Sequence, residues 1–356
     1  MVGKRIMIVL PSDNLGGAEQ YLFNIGNYYS RLGYEIDVFF LYSEKTQKWR
    51  DISNANLFFT NKQSEIKGLY PMIRNIQRHG SNKYSFIFSS HQHINALLSV
   101  LRSLGVVNTD KLICRESTSV FLRFSGLTLL YFRTLYRFYG KIDLIICQTP
   151  EMKQQLLKGY KKFQKYNVQA IRNPIVLDEI KRLSNETISI SLPDKYILAI
   201  GRLNRVKRFD KLIRSFGISQ CKDTHHLIIL GKGNESSSLQ QLINDLNLEK
   251  RVHLLGHVDN VFPYIAKASI GAISSDVEGF PNVLLQMYAL NLRVVMTRCC
   301  GGLETFPELY LCKENTEKEL ACLLDSASQE RADIDFSDFI KKYDIHDFVN
   351  QVEGYV

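Results

Sequence analysis

Four short stretches of the chain place reactive or ligand-binding residue types next to glycine, proline or a turn. In SSDVEGFPNVLLQMYALNLRVV, residues 274–295, a single carboxylate, Glu278, stands where a strand ends and a helix begins. A carboxylate there can orient sugar hydroxyls or stabilise positive charge forming on a sugar ring. It equally suits the plainer task of balancing a helix dipole. Pro281 fits the first turn of that helix, so the N–H groups of Asn282, Val283 and Leu284 are expected to point back at an anion. Eight positions beyond Glu278 the helix carries Gln286.

The stretch GRLNRVK, residues 201–207, follows an apolar run. Arg202 offers a planar fork and Lys207 a compact charge, a pair able to clamp a diphosphate, although a loop this basic also reads as a solvated surface. In NLGGAE, residues 14–19, Gly16 and Gly17 let a phosphate or a sugar approach the backbone at a helix N-terminus, or simply make a tight turn. In SSHQH, residues 89–93, His91 and His93 follow a strand and precede a helix, where an imidazole can hydrogen-bond a hydroxyl or move a proton. The one-residue gap, without acidic neighbours, is a weak metal signal.

Positioning such loops requires strands that end together. Arg5–Leu10 is a short apolar run suited to a strand buried on both faces, and from Ala18 the apolar residues follow helical spacing until Gly33. Further strands are expected at Glu35–Leu41, Tyr84–Ser89, Lys111–Cys114 and Leu144–Cys147. The pattern restarts at Lys195–Ile200 and continues with Leu227–Leu230, Val252–Leu254, Ile270–Ser274 and Arg293–Met296. Alternating strands and helices imply two doubly wound α/β domains, residues 1–175 and 176–335, facing across a cleft. Residues 336–356 form a helical segment expected to pack against either domain. Ligands of such sheets bind beyond the strand C-termini, where all four stretches fall.

A chain of 356 residues suits two domains, and 45% hydrophobic with 23% charged residues is a globular balance. The seven cysteines lack zinc-ribbon or CxxC spacing and read as reduced thiols of a cytoplasmic protein. The first apolar run is too short for a signal peptide, and no run reaches membrane-spanning length. The net charge of +9 sits in the first half, the second half being mildly acidic. Bulk charge is all that speaks for nucleic acid, so no nucleic-acid partner is expected. Gly231-Lys232-Gly233 follows a strand but lacks the third glycine of a dinucleotide fingerprint.

Together, the GGAE turn, GRLNRVKRFDKLI, HLIILGKG, and EGFPNVLLQMYA followed by VVMTRCCGGLE resemble the retaining nucleotide-sugar glycosyltransferases of family 4, which have the GT-B fold. The resemblance covers nearly the whole chain. It implies metal-independent hexosyl transfer, with retention, from a UDP- or GDP-sugar to a glycan or lipid-linked saccharide in bacterial surface-polysaccharide or O-antigen synthesis, with no cofactor beyond that substrate. It implies that the first domain binds the acceptor and the second the nucleotide sugar. Arg202 and Lys207 would hold the donor diphosphate with help from Gly17, Glu278 the sugar hydroxyls, and the N–H groups from Phe280 to Leu284 would line the sugar and phosphate site. His91 or His93 would be the histidine of the cleft. The chain departs from the pattern at Gln286, where the family carries a second carboxylate for the ribose, and at Asn291 and Arg293, which replace a common glycine and proline. A nucleotide-sugar epimerase on the same fold and a non-catalytic sugar-nucleotide or glycan-binding protein are the competing readings.

Residues 120–139, VFLRFSGLTLLYFRTLYRFY, mix aromatics with Arg123, Arg133 and Arg137, and lysines follow at 158, 161, 162 and 165. Such a surface suits docking on an anionic membrane at the inner face of the cell membrane. A core helix with a solvated basic side has the same pattern.

Overall fold

The computed structural model describes residues 4–14, 16–43, 48–60, 62, 64–79, 82–329 and 334–356. The chain divides into two compact units. The first comprises residues up to Pro174 together with Ile345–Val356; the second is Ile175–Asp344.

The first unit is built on a parallel seven-stranded sheet. Its strands are β1 (Arg5–Leu10), β2 (Glu35–Phe40), β3 (Ala55–Phe59), β4 (Tyr84–Ser89), β5 (Thr109–Arg115), β6 (Leu144–Cys147) and β7 (Val168–Ala170), in the order β3-β2-β1-β4-β5-β6-β7. Almost every residue of β1, β2 and β6 is buried, as continuous apolar runs covered on both faces must be. Helices α1 (Gly17–Arg31), α2 (Glu65–His79), α3 (Gln92–Ser103), α4 (Val120–Arg123) and α5 (Gly126–Arg137) connect and flank these strands. Beneath α5 the buried Glu116 carboxylate accepts from the Tyr136 and Tyr139 hydroxyls at 2.9 and 2.8 Å and from the Gln92 amide at 3.1 Å. Burial pushes that carboxyl up while the three donors pull it down. These bonds fix α3 and α5 relative to the end of β5.

The second unit repeats the plan with six parallel strands, β8 (Tyr196–Ile200), β9 (His226–Leu230), β10 (Val252–Gly256), β11 (Ile270–Ile273), β12 (Val294–Met296) and β13 (Tyr310–Leu311), ordered β10-β9-β8-β11-β12-β13. Each sheet therefore reverses its strand order once, between β1 and β4 and between β8 and β11. Those two points are where a doubly wound sheet opens a crevice at its strand C-termini.

Three strands, β3, β7 and β13, were not expected from the sequence. All three are edge strands with partly exposed residues, so they lack the buried apolar run by which the central strands are recognised. The segment 336–356 is divided between the units. Phe336 stacks on Tyr288 in the second unit, ring centroids 4.3 Å apart. The helix Ile345–Tyr355 packs on α1, where Phe348 meets Tyr21 edge-on at 5.6 Å and the Tyr29 hydroxyl donates to Glu353 at 3.0 Å. Where the chain passes from one unit to the other, the Ile175 N–H donates to the Tyr343 carbonyl at 2.9 Å.

Candidate active site

In the second unit, β8 runs out into Gly201, and the loop it enters is zipped to the loop after β9. Gly201 N–H donates to Leu230 O, and Leu203 N–H donates to Lys232 O, each at 2.9 Å. Two glycines make this possible. A Cβ at Gly231, whose φ is +146°, would lie 1.8 Å from the Gly201 carbonyl oxygen, and one at Gly233 would lie 2.0 Å from that of Leu203. The Gly231-Lys232-Gly233 stretch thus serves backbone packing, which accounts for its two glycines without a dinucleotide.

Next, the Asn204 side chain accepts from the Lys207 N–H at 3.2 Å and closes a short turn. That turn lays the Lys207 stem across Gly201, where a Cβ would come within 3.2 Å of Lys207 Cε. Lys207 Nζ then meets Glu278 Oε1 at 2.7 Å. Ser275 Oγ donates to the same oxygen at 2.5 Å, and the Glu278 N–H is anchored on the Cys299 carbonyl at 2.8 Å. Both side chains are largely withdrawn from solvent, Lys207 at 22% exposure and Glu278 at 14%. Glu278 Oε2 receives no hydrogen bond among the described residues. The switch point therefore carries a fixed ammonium, and beside it a carboxylate with one oxygen in hand.

The other charges of this basic loop divide cleanly. Arg208, in left-handed conformation, pairs with Asp210 at 3.0 Å and Asp276 at 3.1 Å, and Lys211 reaches Asp276 at 3.2 Å. Arg202 is exposed and meets no carboxylate among the described residues. Arg202 directly follows Gly201 at the end of β8, and the Lys207 stem lies across that glycine.

The helix after Glu278 spans Asn282–Ala289, and Pro281 is its extended N-cap rather than its first helical residue. The Leu284 N–H closes the first turn on the Pro281 carbonyl at 3.0 Å, so this donor, expected to serve an anion, is engaged inside the protein. Phe280, Val283 and Leu284 send their side chains into the core, which leaves only their backbones to line a site. Gln286 is half-buried, one turn beyond Asn282 on the same helix face. The two family departures further on have local explanations. Asn291 sits at φ 55°, a left-handed position that asparagine tolerates nearly as well as glycine, and Arg293 is buried with an Nη on the Ala327 carbonyl at 3.3 Å.

In the first unit, Gly16 caps α1 and His91 caps α3, each in extended backbone, at the ends of the neighbouring strands β1 and β4. His91 Nε2 lies 3.1 Å from Glu19 Oε1, while its Nδ1 is buried and has no hydrogen bond among the described residues. His93 turns away toward α2, its Nε2 being 3.8 Å from Glu65, too long for a hydrogen bond. Burial, and to a lesser degree the neighbouring His91, push the His93 imidazole down to about 4, so it is neutral at pH 7 and does not form the ion pair that its distance to Glu65 would allow. Of the two histidines, His91 is therefore the one beside the glycine turn. Acidic neighbours, lacking in the local sequence, are brought in by α1 and α2. Among the described residues no group of three or more His, Cys, Asp or Glu side chains converges as a metal site.

Two residues of this end were not singled out from the sequence. Glu19 was visible only as the last letter of GGAE. Arg115 ends β5, fully buried, and donates to Ser90 at 2.7 Å and to Asn173 at 2.8 Å with its guanidinium 4.4 Å from the Tyr21 ring centre. Burial pushes it down to about 10, so it remains a cation beneath the His91 turn. No pattern in ICRES marks it, because its role depends on strand order.

Comparison with known proteins bears on both units. The model described as Glycosyltransferase Family 4 matches residues 15–179, and the model described as Glycosyl transferases group 1 matches residues 194–327. An uncharacterized glycosyltransferase of Methanocaldococcus jannaschii is 36% identical over 50% of this chain and 44% of its own length. The N-acetylgalactosamine-N,N'-diacetylbacillosaminyl-diphospho-undecaprenol 4-alpha-N-acetylgalactosaminyltransferase of Campylobacter jejuni is 32% identical over 60% of this chain and 56% of its own. The chain thus spans about half the length of these two curated relatives. Among solved structures, Anabaena HepE in complex with UDP and glucose superposes with a TM-score of 0.79 at 17% identity, covering 98% of each chain. The lipopolysaccharide outer core galactosyltransferase WaaB gives 0.68 at 16%, covering 99% of this chain and 98% of its own. At such identities the likeness is one of fold, and that fold is GT-B.

Proposed function

The chain belongs to the family 4 glycosyltransferases, with a second domain of the group 1 type, and from that premise we propose that it moves a hexose or N-acetylhexosamine from a UDP- or GDP-sugar to a glycan or lipid-linked acceptor, with retained configuration and without a metal. The observation that carries this reading is the Lys207–Glu278 contact at the β8/β11 switch point, with Arg202 beside it. An ammonium has three donors, so Lys207 keeps one on Glu278 and offers others to a diphosphate. Arg202 adds its fork, Glu278 Oε2 accepts from sugar hydroxyls, and the Phe280–Val283 backbone lines the sugar and phosphate site. As the anomeric C1–O bond breaks, its electron pair goes to the diphosphate, which these cations stabilise. The acceptor oxygen bonds to C1 from the same face, and its proton passes to the departing diphosphate oxygen. Positioning and charge stabilisation supply the catalysis, with no covalent enzyme intermediate.

The test is release of UDP or GDP from a panel of nucleotide sugars, with and without glycan and lipid-linked acceptors. Binding without release would make the protein a sugar-nucleotide-binding one. Interconversion of the donor sugar would make it an epimerase. Gln286 takes the place of the ribose carboxylate as a neutral acceptor. Replacing it by glutamate is expected to tighten nucleotide binding about three- to tenfold, the gain of charging one hydrogen bond. Calorimetry with UDP and GDP checks this, and unchanged or weaker binding places Gln286 away from the ribose.

The acceptor side extends to a surface. Leu127 and Ile66 are 85% and 90% exposed, and Leu122, Leu130, Tyr131 and Tyr70 are also exposed, on α2, α4 and α5. Burial and then the Glu65 carboxylate of α2 push the Tyr131 phenol of α5 up, which places the two helices close together. Arg123, Arg133 and Arg137 are exposed on the same two helices, α4 and α5. Lys162 instead caps α5, with Nζ 2.8 Å from the Arg137 carbonyl and 2.5 Å from that of Tyr139. Exposed leucines flanked by arginines are what an anionic bilayer surface binds, and a lipid-linked acceptor would be presented there. None of the helices of the described residues is long and apolar enough to cross a membrane. The protein is expected to sediment with phosphatidylglycerol vesicles at low salt and to lose most of that binding on Ile66→Asp plus Leu127→Asp. Failure of the unmodified protein to sediment removes the membrane from this reading.

A further inference from the structure

We propose that Ser274 and Ser275, which directly follow β11, are positioning residues of the donor site. Ser275 sets which oxygen of Glu278 meets the sugar, and Ser274 sets where the Lys207 ammonium meets the diphosphate. This rests on the glycosyltransferase reading above and separates the sugar contact from the phosphate contact within it. Each serine reaches a different partner. Ser274 Oγ donates to the Lys207 carbonyl at 2.8 Å, and Ser275 Oγ donates to Glu278 Oε1 at 2.5 Å. Both halves of the charged pair thus hang from one dipeptide. Both serines are buried, and Ser275 is itself held, its carbonyl accepting from Thr297 Oγ1 at 2.6 Å at the exit of β12.

The short hydroxyl does what the lysine alone cannot. The terminal torsion of a glutamate is broad and roughly two-fold, so one contact to a long, flexible ammonium leaves either oxygen free to face a ligand. Ser275 removes that choice. With Lys207 Nζ at 2.7 Å and Ser275 Oγ at 2.5 Å, Oε1 has both lone pairs in use, and Oε2 is the oxygen left for sugar hydroxyls. Ser274 acts on the other half through the backbone. The Lys207 N–H is held by the Asn204 side chain at 3.2 Å and its carbonyl by Ser274, while the Val206 carbonyl accepts from the Asp276 N–H at 2.9 Å. The next residue, Arg208, is left-handed at φ 49°, a conformation that costs a residue with a Cβ free energy. The Ser274 bond fixes the peptide plane between the two, and with it the direction in which the Lys207 stem leaves the turn.

The experiment uses the full chain and calorimetry with UDP, GDP, UDP-glucose, UDP-N-acetylglucosamine and GDP-mannose. The sugar nucleotide that the unmodified protein binds best is compared with its own nucleoside diphosphate, which offers Glu278 no hexose. Ser275→Ala is expected to weaken the sugar nucleotide about tenfold and to leave the diphosphate within about twofold, because a hydrogen bond to a charged group is lost where only the sugar feels it. Ser274→Ala is expected to weaken both probes about three- to tenfold. Ser275→Cys, of similar size but a weaker donor, should fall between serine and alanine. Each effect should vanish where its partner is gone. Ser275→Ala should add nothing to the binding loss of Glu278→Ala, and Ser274→Ala nothing to that of Lys207→Ala. A merely structural role would lower the melting temperature and weaken both probes alike in both variants, or add its full cost in either background. Those results overturn the proposal, as do two silent substitutions or a protein that binds a nucleoside diphosphate but none of the sugar nucleotides. A protein that binds none of the probes overturns the donor reading itself, and this inference with it.

Discussion

Replacing Lys207 by alanine is expected to lower sugar transfer about a hundred- to thousandfold while the second unit stays folded. The magnitude is that of removing one preorganised group aimed at charge that develops in the transition state. In the mechanism proposed above the leaving diphosphate would gain negative charge as the anomeric bond breaks, and Lys207 would be the cation near it whose place is fixed, by Asn204 at its backbone, Gly201 under its stem and Glu278 at its tip. Arg202, exposed and meeting no carboxylate among the described residues, has more freedom and should contribute less. The cost in stability is expected to be near 1 kcal/mol, because Glu278 keeps its bond from Ser275 and is not left as a sealed, unpaired charge. Glu278→Gln should behave differently. It leaves the ammonium free to bind the diphosphate, so nucleotide affinity should hold while turnover falls. Steady-state release of nucleoside diphosphate together with a melting curve reads both variants. Turnover of Lys207→Ala within about threefold of wild type would move the donor site elsewhere.

The second large effect is structural. Gly231→Ala is expected to destabilise the second unit by about 3 kcal/mol or more, a fall in melting temperature of roughly 6–12 °C for a unit of this size. Two penalties coincide at this residue. Its φ of +146° lies in a region that L side chains rarely adopt, and the added methyl would overlap the Gly201 carbonyl, a backbone atom that cannot swing aside. Relief requires the loop after β8 to move away from the loop after β9, and the bond from Leu203 N–H to Lys232 O breaks with it. Since Lys207 lies across Gly201, transfer should fall together with stability. Gly302→Ala, also at positive φ but with open space around it, is the control and should cost only about 1 kcal/mol. Equal melting temperatures for Gly231→Ala and wild type would show that the two loops are not packed as described.

The fold was legible in the sequence where burial is two-sided. β1, β2, β4, β5, β6, β8, β9, β11 and β12 announce themselves as apolar runs, β10 is an edge strand that was still readable from its Val252–Leu254 core, and the restart of the pattern after residue 190 shows that there are two units. What escaped was at the margins. β3, β7 and β13 close sheet edges with few and half-exposed residues, and a three-residue VQA has no periodicity to detect. The division of residues 336–356 escaped for a related reason, since helical spacing shows an apolar face but not what covers it. For the site, residue types at strand ends could be read one by one. Their partnerships could not. Lys207 with Glu278 and His91 with Glu19 join residues about seventy positions apart, and each pair meets only because the strand order of its sheet reverses between them. Arg115 was invisible for the same reason.

The interrupted first unit has a consequence for how the chain is made. Residues up to Pro174 leave the ribosome before the second unit does, yet the unit they belong to is completed only by Ile345–Val356. While residues 175–344 are being added, a span of roughly 9–34 s at about 5–20 residues per second, the α1 face bearing Tyr21 and Tyr29 has no Phe348 or Glu353 to cover it. The second unit, uninterrupted in sequence, is free to fold in that interval. Of the two units, the one made earlier is the one completed later, and a nascent chain arrested before Ile345 would present an open aromatic surface to chaperones.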